Sequence, residues 1–313
     1  TQAVKLVNAT QRIALSGTPL ENRLLDLWSI VDFLNPGYLG TREQFRERYS
    51  NKAEDLEHLR RRLAPLILRR TKLAVAPELP ARTEEVITLP FADDQAKIYA
   101  KELAAARAGL QQKGTMELLA AITRLRQICC HPKLWLESVG IQERKSKITA
   151  DDPSSAKLDC LLDMLGELLD EGHSALIFSQ FTSMLAIIEE YLKQRQVTYY
   201  KITGETSTDD RAMVVREFNA DERPAVCLLS LRAAGVGLTL TKADYVFIYD
   251  PWWNPAVENQ AIDRTHRIGQ TKPVIAYRLV AQDSIEEKVL SLQDEKRRLF
   301  AATLEGGTDL ASS

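Results

Sequence analysis

Ala225-Val226-Cys227-Leu228-Leu229-Ser230-Leu231-Arg232-Ala233-Ala234-Gly235-Val236-Gly237-Leu238-Thr239-Leu240 is the stretch that decides the fold. Its first five residues are apolar without alternation, so a strand there buries both faces. It then enters a loop carrying two glycines. Comparable apolar runs occupy 175–178, 197–202, 245–249 and 274–280. Helical patterns separate them, as at Leu158, Leu161, Leu162, Leu165, Leu168 and Leu169, which line one helix face. Strands apolar on both faces, alternating with helices, predict an α/β fold with a parallel sheet covered on both sides. This three-layer domain is expected over about 155–300.

Upstream the character is different. Residues 11–15 read as the last part of a buried strand running into the turn Ser16-Gly17-Thr18-Pro19. Leu24, Leu27, Trp28 and Val31 predict an amphipathic helix, which Asn35-Pro36-Gly37 stops. Two charged helices are expected over 41–72, a short strand over 85–89, and helices near 94–110 and 115–129. The polar stretch 138–155 reads as a loop or linker.

The chain has 313 residues, which suggests two globular units, and its apolar fraction of 45% supports a sizeable core. A net charge of −2 gives no global field for nucleic acid, so any such contact rests on local patches. No apolar stretch is long enough to span a membrane, and no secretory leader is evident. The first residue is Thr1, which suggests a fragment or a trimmed chain. Cys129, Cys130, Cys160 and Cys227 form no CxxC pair, so neither a zinc ribbon nor a disulfide framework is expected. The run Cys129-Cys130-His131 offers poor chelation and no second ligand pair follows it, so no metal site is expected.

The chemistry-bearing stretch is Gln260-Ala261-Ile262-Asp263-Arg264-Thr265-His266-Arg267-Ile268-Gly269-Gln270. Two arginines three apart, read as helical, share one face. Each permanently charged guanidinium can fork onto phosphate oxygens, which suits the charge developing in phosphoryl transfer. A surface ion pair to Asp263 or Glu258 is the alternative. Gly235 and Gly237 follow a buried strand, where parallel sheets bind ligands and backbone must come close; an ordinary strand-to-loop turn would use them equally well. Asp250-Pro251-Trp252-Trp253-Asn254-Pro255 follows another such strand. Adjacent tryptophans face different ways, so one is expected at the surface, on an interface or a nucleic-acid edge.

The run from Tyr249 through Gln270 resembles motifs five and six of the Swi/Snf DNA-translocating ATPases, in helicase superfamily two. Leu15-Ser16-Gly17-Thr18-Pro19-Leu20-Glu21-Asn22 resembles motif three, with Ser16 where Thr is common. Leu68-Arg69-Arg70-Thr71-Lys72 and Leu125-Arg126-Gln127-Ile128-Cys129-Cys130-His131-Pro132 resemble family signatures flanking the lobe junction. Ala175-Leu176-Ile177-Phe178-Ser179-Gln180-Phe181 resembles motif four, and residues 200–218, with Gly204 and Arg211, the segment after it.

The resemblance implies two recombinase-A-like lobes with helical protrusions. Residues 1–90 would be the tail of lobe one with its protrusion, 91–154 a helical region and linker, 155–303 the helicase C-terminal lobe, and 304–313 a tail. It implies Arg264 and Arg267 as catalytic groups at the ATP phosphates, and Gly235, Gly237, Gln260 and Asp263 around the nucleotide. Ser16, Gly17 and Thr18 would couple the two activities. Ser179, Gln180, Arg232, Thr239, Trp252, Trp253, Arg69 and Arg70 would face DNA. The partners implied are the double-stranded DNA backbone, contacted independently of sequence, the N-terminal lobe, and a DNA-bound protein complex.

A working ATPase also needs a GxxxxGK[ST] phosphate cradle and an acidic magnesium motif. The cradle is absent from these residues, and Asp170-Glu171-Gly172-His173 spells DExH at the end of a leucine helix rather than of a buried strand. ATP and Mg2+ are therefore cofactors expected of the full-length protein and held by no site in this chain alone, which is expected to be inactive in isolation. Between 59 and 72 lie Arg60, Arg61, Arg62, Arg69, Arg70 and Lys72 with no acid. They would either track phosphates or form a solvated helix face. The rival function is a non-catalytic DNA- or protein-binding module on the same fold. Localisation would be cytoplasmic and nucleoid-associated in a prokaryote, nuclear in a eukaryote.

Overall fold

The structure, a computed structural model, describes residues 2–16, 24–49, 52–68, 70, 72–109, 115–140, 153–231, 233 and 237–304. The chain divides into two compact units. The first comprises Thr1–Val75, Asn254–Ala256 and Leu292–Ser313, the second Ala76–Trp253 and Val257–Ser291.

In the first unit the helices are α1 (Gln2–Lys5), α2 (Leu24–Leu34), α3 (Arg42–Arg48), α4 (Ala53–Leu63) and α5 (Lys72–Val75). On α2, Leu24, Leu27 and Val31 are buried against Phe45, Leu56, Leu59 and Leu63. Helix α3 starts in a capping box. The Gln44 backbone N–H donates to Thr41 Oγ1 at 3.3 Å, and the Thr41 N–H donates to Gln44 Oε1 at 2.9 Å. Residues 11–16 form no strand, and Ile13 and Leu15 are 80% and 95% exposed. The expected buried strand end is corrected here: among the described residues no strand offers it a ladder partner.

The second unit holds β1 (Arg82–Leu89), α6 (Asp93–Gly109), α7 (Thr115–Cys130), α8 (Pro132–Ser138), α9 (Ala156–Asp170), β2 (Ala175–Ser179), α10 (Thr182–Gln194), β3 (Tyr199–Ile202), α11 (Thr208–Ala220), β4 (Val226–Ser230), β5 (Tyr245–Ile248), α12 (Pro255–Ile262) from Val257 on, β6 (Val274–Ala281) and the start of α13 (Ile285–Leu304). The six strands form one sheet in the order β1-β6-β5-β2-β4-β3, with every pairing parallel.

Period-two alternation builds the two cores. Ile177, Leu228 and Phe247 join the apolar residues of α9 and α10 on one face. Leu176, Phe178, Cys227, Leu229, Val246 and Ile248 meet Phe218 of α11 and Ala261 and Ile262 of α12 on the other. Every residue of β2 and β4 is buried, as their unbroken apolar runs demand. Each buried Val, Leu, Ile or Phe side chain among them contributes about 1.5–3 kcal/mol on burial.

Strand β1 is longer than the expected 85–89, and it pairs with β6 over all eight residues. The structure thus groups it with the sheet of the second unit, where the sequence reading had put it upstream of residue 90. Its outer edge carries exposed and polar residues, as a tolerated sheet edge does.

Candidate functional site

The site is built at the carboxyl ends of β2, β4 and β5, where strand order reverses around β2. Asp250, just past β5, is fully buried. It accepts from the Ser179 hydroxyl at 2.5 Å and from the Gln180 backbone N–H at 3.3 Å. Ser179 is itself fully buried, so in this structure its hydroxyl faces Asp250 rather than solvent.

Arg126 of α7 pins these loops from outside the sheet. Its Nη1 donates to Gln180 Oε1 at 2.8 Å and its Nη2 to the Pro251 carbonyl at 2.5 Å. Its guanidinium lies 5.8 Å from the Trp252 ring centroid and 5.3 Å from that of Trp253. Both tryptophans are half-buried, so neither is the fully surface-facing partner expected from their adjacency. Glu258, fully buried, accepts from the Trp252 N–H at 2.7 Å and from Arg278 Nε at 2.8 Å. Burial works against the Arg278 charge, yet Glu258 and Glu84 together hold its guanidinium above its ordinary range.

The two arginines do not lie on a helix. Helix α12 ends at Ile262, and the chain tightens into turns in which Arg264 N–H bonds to the Ala261 carbonyl and Thr265 N–H to that of Ile262. These are three-residue steps, the usual way a helix end closes. Gly269, at φ +102°, completes the reversal. Arg264 Nε is buried and has no hydrogen-bond partner among the described residues. Burial, and then the neighbouring Arg267 charge, push the Arg264 guanidinium below its ordinary range, with Asp263 opposing them. Arg267 Nη1 donates to Thr239 Oγ1 at 3.2 Å, and the Leu240 N–H donates to the Arg264 carbonyl at 2.9 Å. The loop after β4 and the arginine turn are thereby laced together. Asp263 accepts from Arg82 Nη1 at 3.0 Å. Gln260 sits half-buried on α12.

Gly237 is exposed, and a methyl there would meet no atom of the described residues within 4 Å, so crowding among them does not demand glycine. Gly17, Thr18, Arg69, Arg232 and Gly235 lie outside the described residues. Ser16 and Arg70 are exposed and belong to the first unit. There Arg60 and Arg61 pair with Glu57, while Arg62 bonds to the Tyr38 carbonyl and stacks on its ring. Half of the basic stretch is thus engaged within its own unit.

The DExH look-alike closes α9 as a helix-end turn. Gly172 has φ +85°, and His173 Nδ1 meets Asp244 Oδ2 at 2.5 Å. His131 caps α8 by accepting from the Lys133 N–H, and burial pushes the Cys129 and Cys130 thiols well above their ordinary range. Among the described residues no His, Cys, Asp and Glu group is disposed to hold a metal ion, and no helix is long and apolar enough to cross a membrane.

Residues 1–134 match the family described as SNF2-related domain, and residues 156–269 match the helicase conserved C-terminal domain. The chain belongs to the Swi/Snf family. An "Uncharacterized ATP-dependent helicase" of Mycoplasma pneumoniae is 38% identical over 97% of this chain and 29% of its own length. The human "SWI/SNF-related matrix-associated actin-dependent regulator of chromatin subfamily A member 1" is 34% identical over 98% of this chain and 30% of its own. The chain therefore spans about a third or less of these relatives. A solved Sulfolobus solfataricus SWI2/SNF2 ATPase core in complex with dsDNA is 32% identical, with a TM-score of 0.58, over 98% of this chain and 65% of that one.

Within this Swi/Snf chain the structure brings together Ser179, Gln180, Trp252 and Trp253 around Arg126 and Asp250, and Thr239 with Arg267. Sequence reasoning gave no role to Arg82 or Arg278, offered Glu258 only as a surface ion-pair partner of the two arginines, where the structure pairs it with Arg278, and treated Arg126 only as part of a signature. A buried-position arginine beside an apolar helix face was the available signal for Arg126.

Proposed function

We propose that this chain is the C-terminal portion of the ATPase core of a Swi/Snf-type translocase acting on double-stranded DNA. The observation carrying this reading is the arginine turn. Arg264 keeps a buried Nε without a partner beside the like charge of Arg267. Two guanidiniums held together with spare donor capacity fit an anion, and the phosphates of ATP suit their fork geometry.

ATP with Mg2+ would supply the phosphoryl group whose cleavage drives the cycle. This chain's part is to orient Arg264 and Arg267 at those phosphates, worth about 10³–10⁵ in rate for arginine fingers in general. Asp263 and Gln260 organise that turn, and Gly235 and Gly237 admit the nucleotide. The phosphate cradle is absent from these 313 residues and belongs to the rest of the full-length protein. The chain alone is accordingly inactive, and magnesium-dependent hydrolysis by the pure chain would contradict this.

DNA is contacted along its backbone, independently of sequence, by Gln180, Thr239, Trp252 and Trp253, with Ser16 and its neighbours coupling the two activities. The double-stranded DNA in the Sulfolobus complex supports this partner. The deciding experiment follows the full-length protein on duplex DNA carrying a triplex-forming third strand. ATP-driven displacement of the third strand with the duplex left intact is expected. Separation of the duplex strands would indicate a helicase, and no displacement with no turnover a binding module.

A further inference from the structure

Arg82, on β1, reaches the last turn of α12 with both arms of its guanidinium. Nη1 donates to Asp263 Oδ1 at 3.0 Å and Nη2 to Asn259 Oδ1 at 3.2 Å. Asn259 and Asp263 are four apart and joined by the Asp263 N–H to Asn259 carbonyl bond of 2.9 Å, so one planar fork clasps one helical turn. Arg82 is 19% exposed at its side chain. Two residues upstream, the Pro80 carbonyl lies 2.8 Å from His266 Nε2. Residues 80–82 thus hold the chain on both sides of Arg264, at 259 and 263 before it and at 266 after it.

The same contacts engage one oxygen of the Asp263 carboxylate, whose charge also acts on Arg264 through space. Asp263 is covalently adjacent to Arg264, whose Nε is unpartnered. A carboxylate without another cation would turn onto that guanidinium and neutralise it. Arg82 draws it away, and Arg82 is balanced in turn by Glu84, which also pairs with Arg278 at 2.7 Å. Arg278 pairs with Glu258, whose other oxygen takes the Trp252 N–H. A line of alternating charge therefore runs from the arginine turn to the tryptophan loop.

We propose that Arg82 is a positioning residue that clasps Asn259 and Asp263 and keeps the Asp263 carboxylate off Arg264, leaving both arginines of the turn free for phosphate. The proposal rests on the assignment of Arg264 and Arg267 made above.

The test uses the full-length protein, with ATP turnover measured on duplex DNA. Arg82→Ala is expected to lower kcat by up to about 10²-fold, the scale of a small misplacement of a reacting group, with KM for ATP and Kd for DNA nearly unchanged. Arg82→Lys, which keeps a cation at Asp263, and Asp263→Asn placed in the Arg82→Ala background, which removes the competing charge, are each expected to recover turnover. A wild-type kcat in Arg82→Ala overturns the proposal. So does a loss that neither second change relieves, because a purely structural edge contact would behave that way. Arg267→Ala is run alongside. If Arg267→Ala turns over normally, the arginine assignment itself has failed. If it is inactive while Arg82→Ala is normal, only the role of Arg82 has failed.

Discussion

Arg267 donates from Nη1 to the Thr239 hydroxyl at 3.2 Å, tying the arginine turn to the loop that follows β4. A hydrogen bond from a charged donor is worth about 1–2 kcal/mol here, since Arg267 is exposed. Thr239→Val keeps the shape and removes the acceptor. The expected result in the full-length protein is a fall in kcat of about tenfold with KM for ATP nearly unchanged. Steady-state turnover on duplex DNA measures it, and an equal rise in KM at constant kcat would mean that the bond only assists binding.

Ser179 gives a separate test. Its hydroxyl is buried against Asp250, so Ser179→Ala removes one donor from a buried carboxylate and costs about 1–3 kcal/mol of stability. Denaturant unfolding reads that loss. The Kd for duplex DNA at fixed salt, measured where the variant is fully folded, is expected to stay unchanged, because no phosphate contact is removed. A weaker Kd in the folded variant would put Ser179 on the DNA.

Arg126 joins parts of the chain that the sequence gives no reason to connect. Arg126→Ala leaves Gln180 Oε1 and the Pro251 carbonyl without their donor and takes a cation from beside buried Asp250. A loss of about 3 kcal/mol in unfolding free energy is expected, together with loss of DNA-stimulated turnover. Turnover retained at full DNA stimulation would show that the loops hold without this clamp.

Acid sensitivity follows from Glu189. Burial alone would raise its carboxyl, but hydrogen bonds from Lys201, Lys193 and Tyr199 bring it from 4.5 down to about 2. A folded value below the unfolded one contributes stability above about pH 4.5, lost as pH falls toward 2. The difference in Tm between wild type and Glu189→Gln is expected to be present at neutral pH and to shrink across that window. A constant difference would mean that the carboxylate charge contributes nothing.

The sheet was legible because the short runs of β2 and β4 are apolar on both faces and alternate with amphipathic helices, the pattern of a covered parallel sheet. The start of β1 was not, because Arg82, Thr83 and Glu84 lie on a half-exposed edge whose partners begin at Val274. No local rule foretells a pairing so distant. The arginines were found by residue type, yet their setting was misread. A helical period continues past Ile262 in the sequence, while the backbone bonds show turns. Arg126 stayed hidden for the same reason as β1: Gln180 and Pro251 are 54 and 125 residues away.

The central claim is that Arg264 and Arg267 act on the phosphates during turnover rather than merely shaping the turn. The direct measurement compares wild type with Arg264→Ala and Arg267→Ala in the full-length protein, recording nucleotide affinity and DNA-stimulated ATP turnover on the same preparations. Affinity close to wild type with turnover reduced by at least about 10³-fold is the expected result. Turnover within a few-fold of wild type in either variant would contradict it.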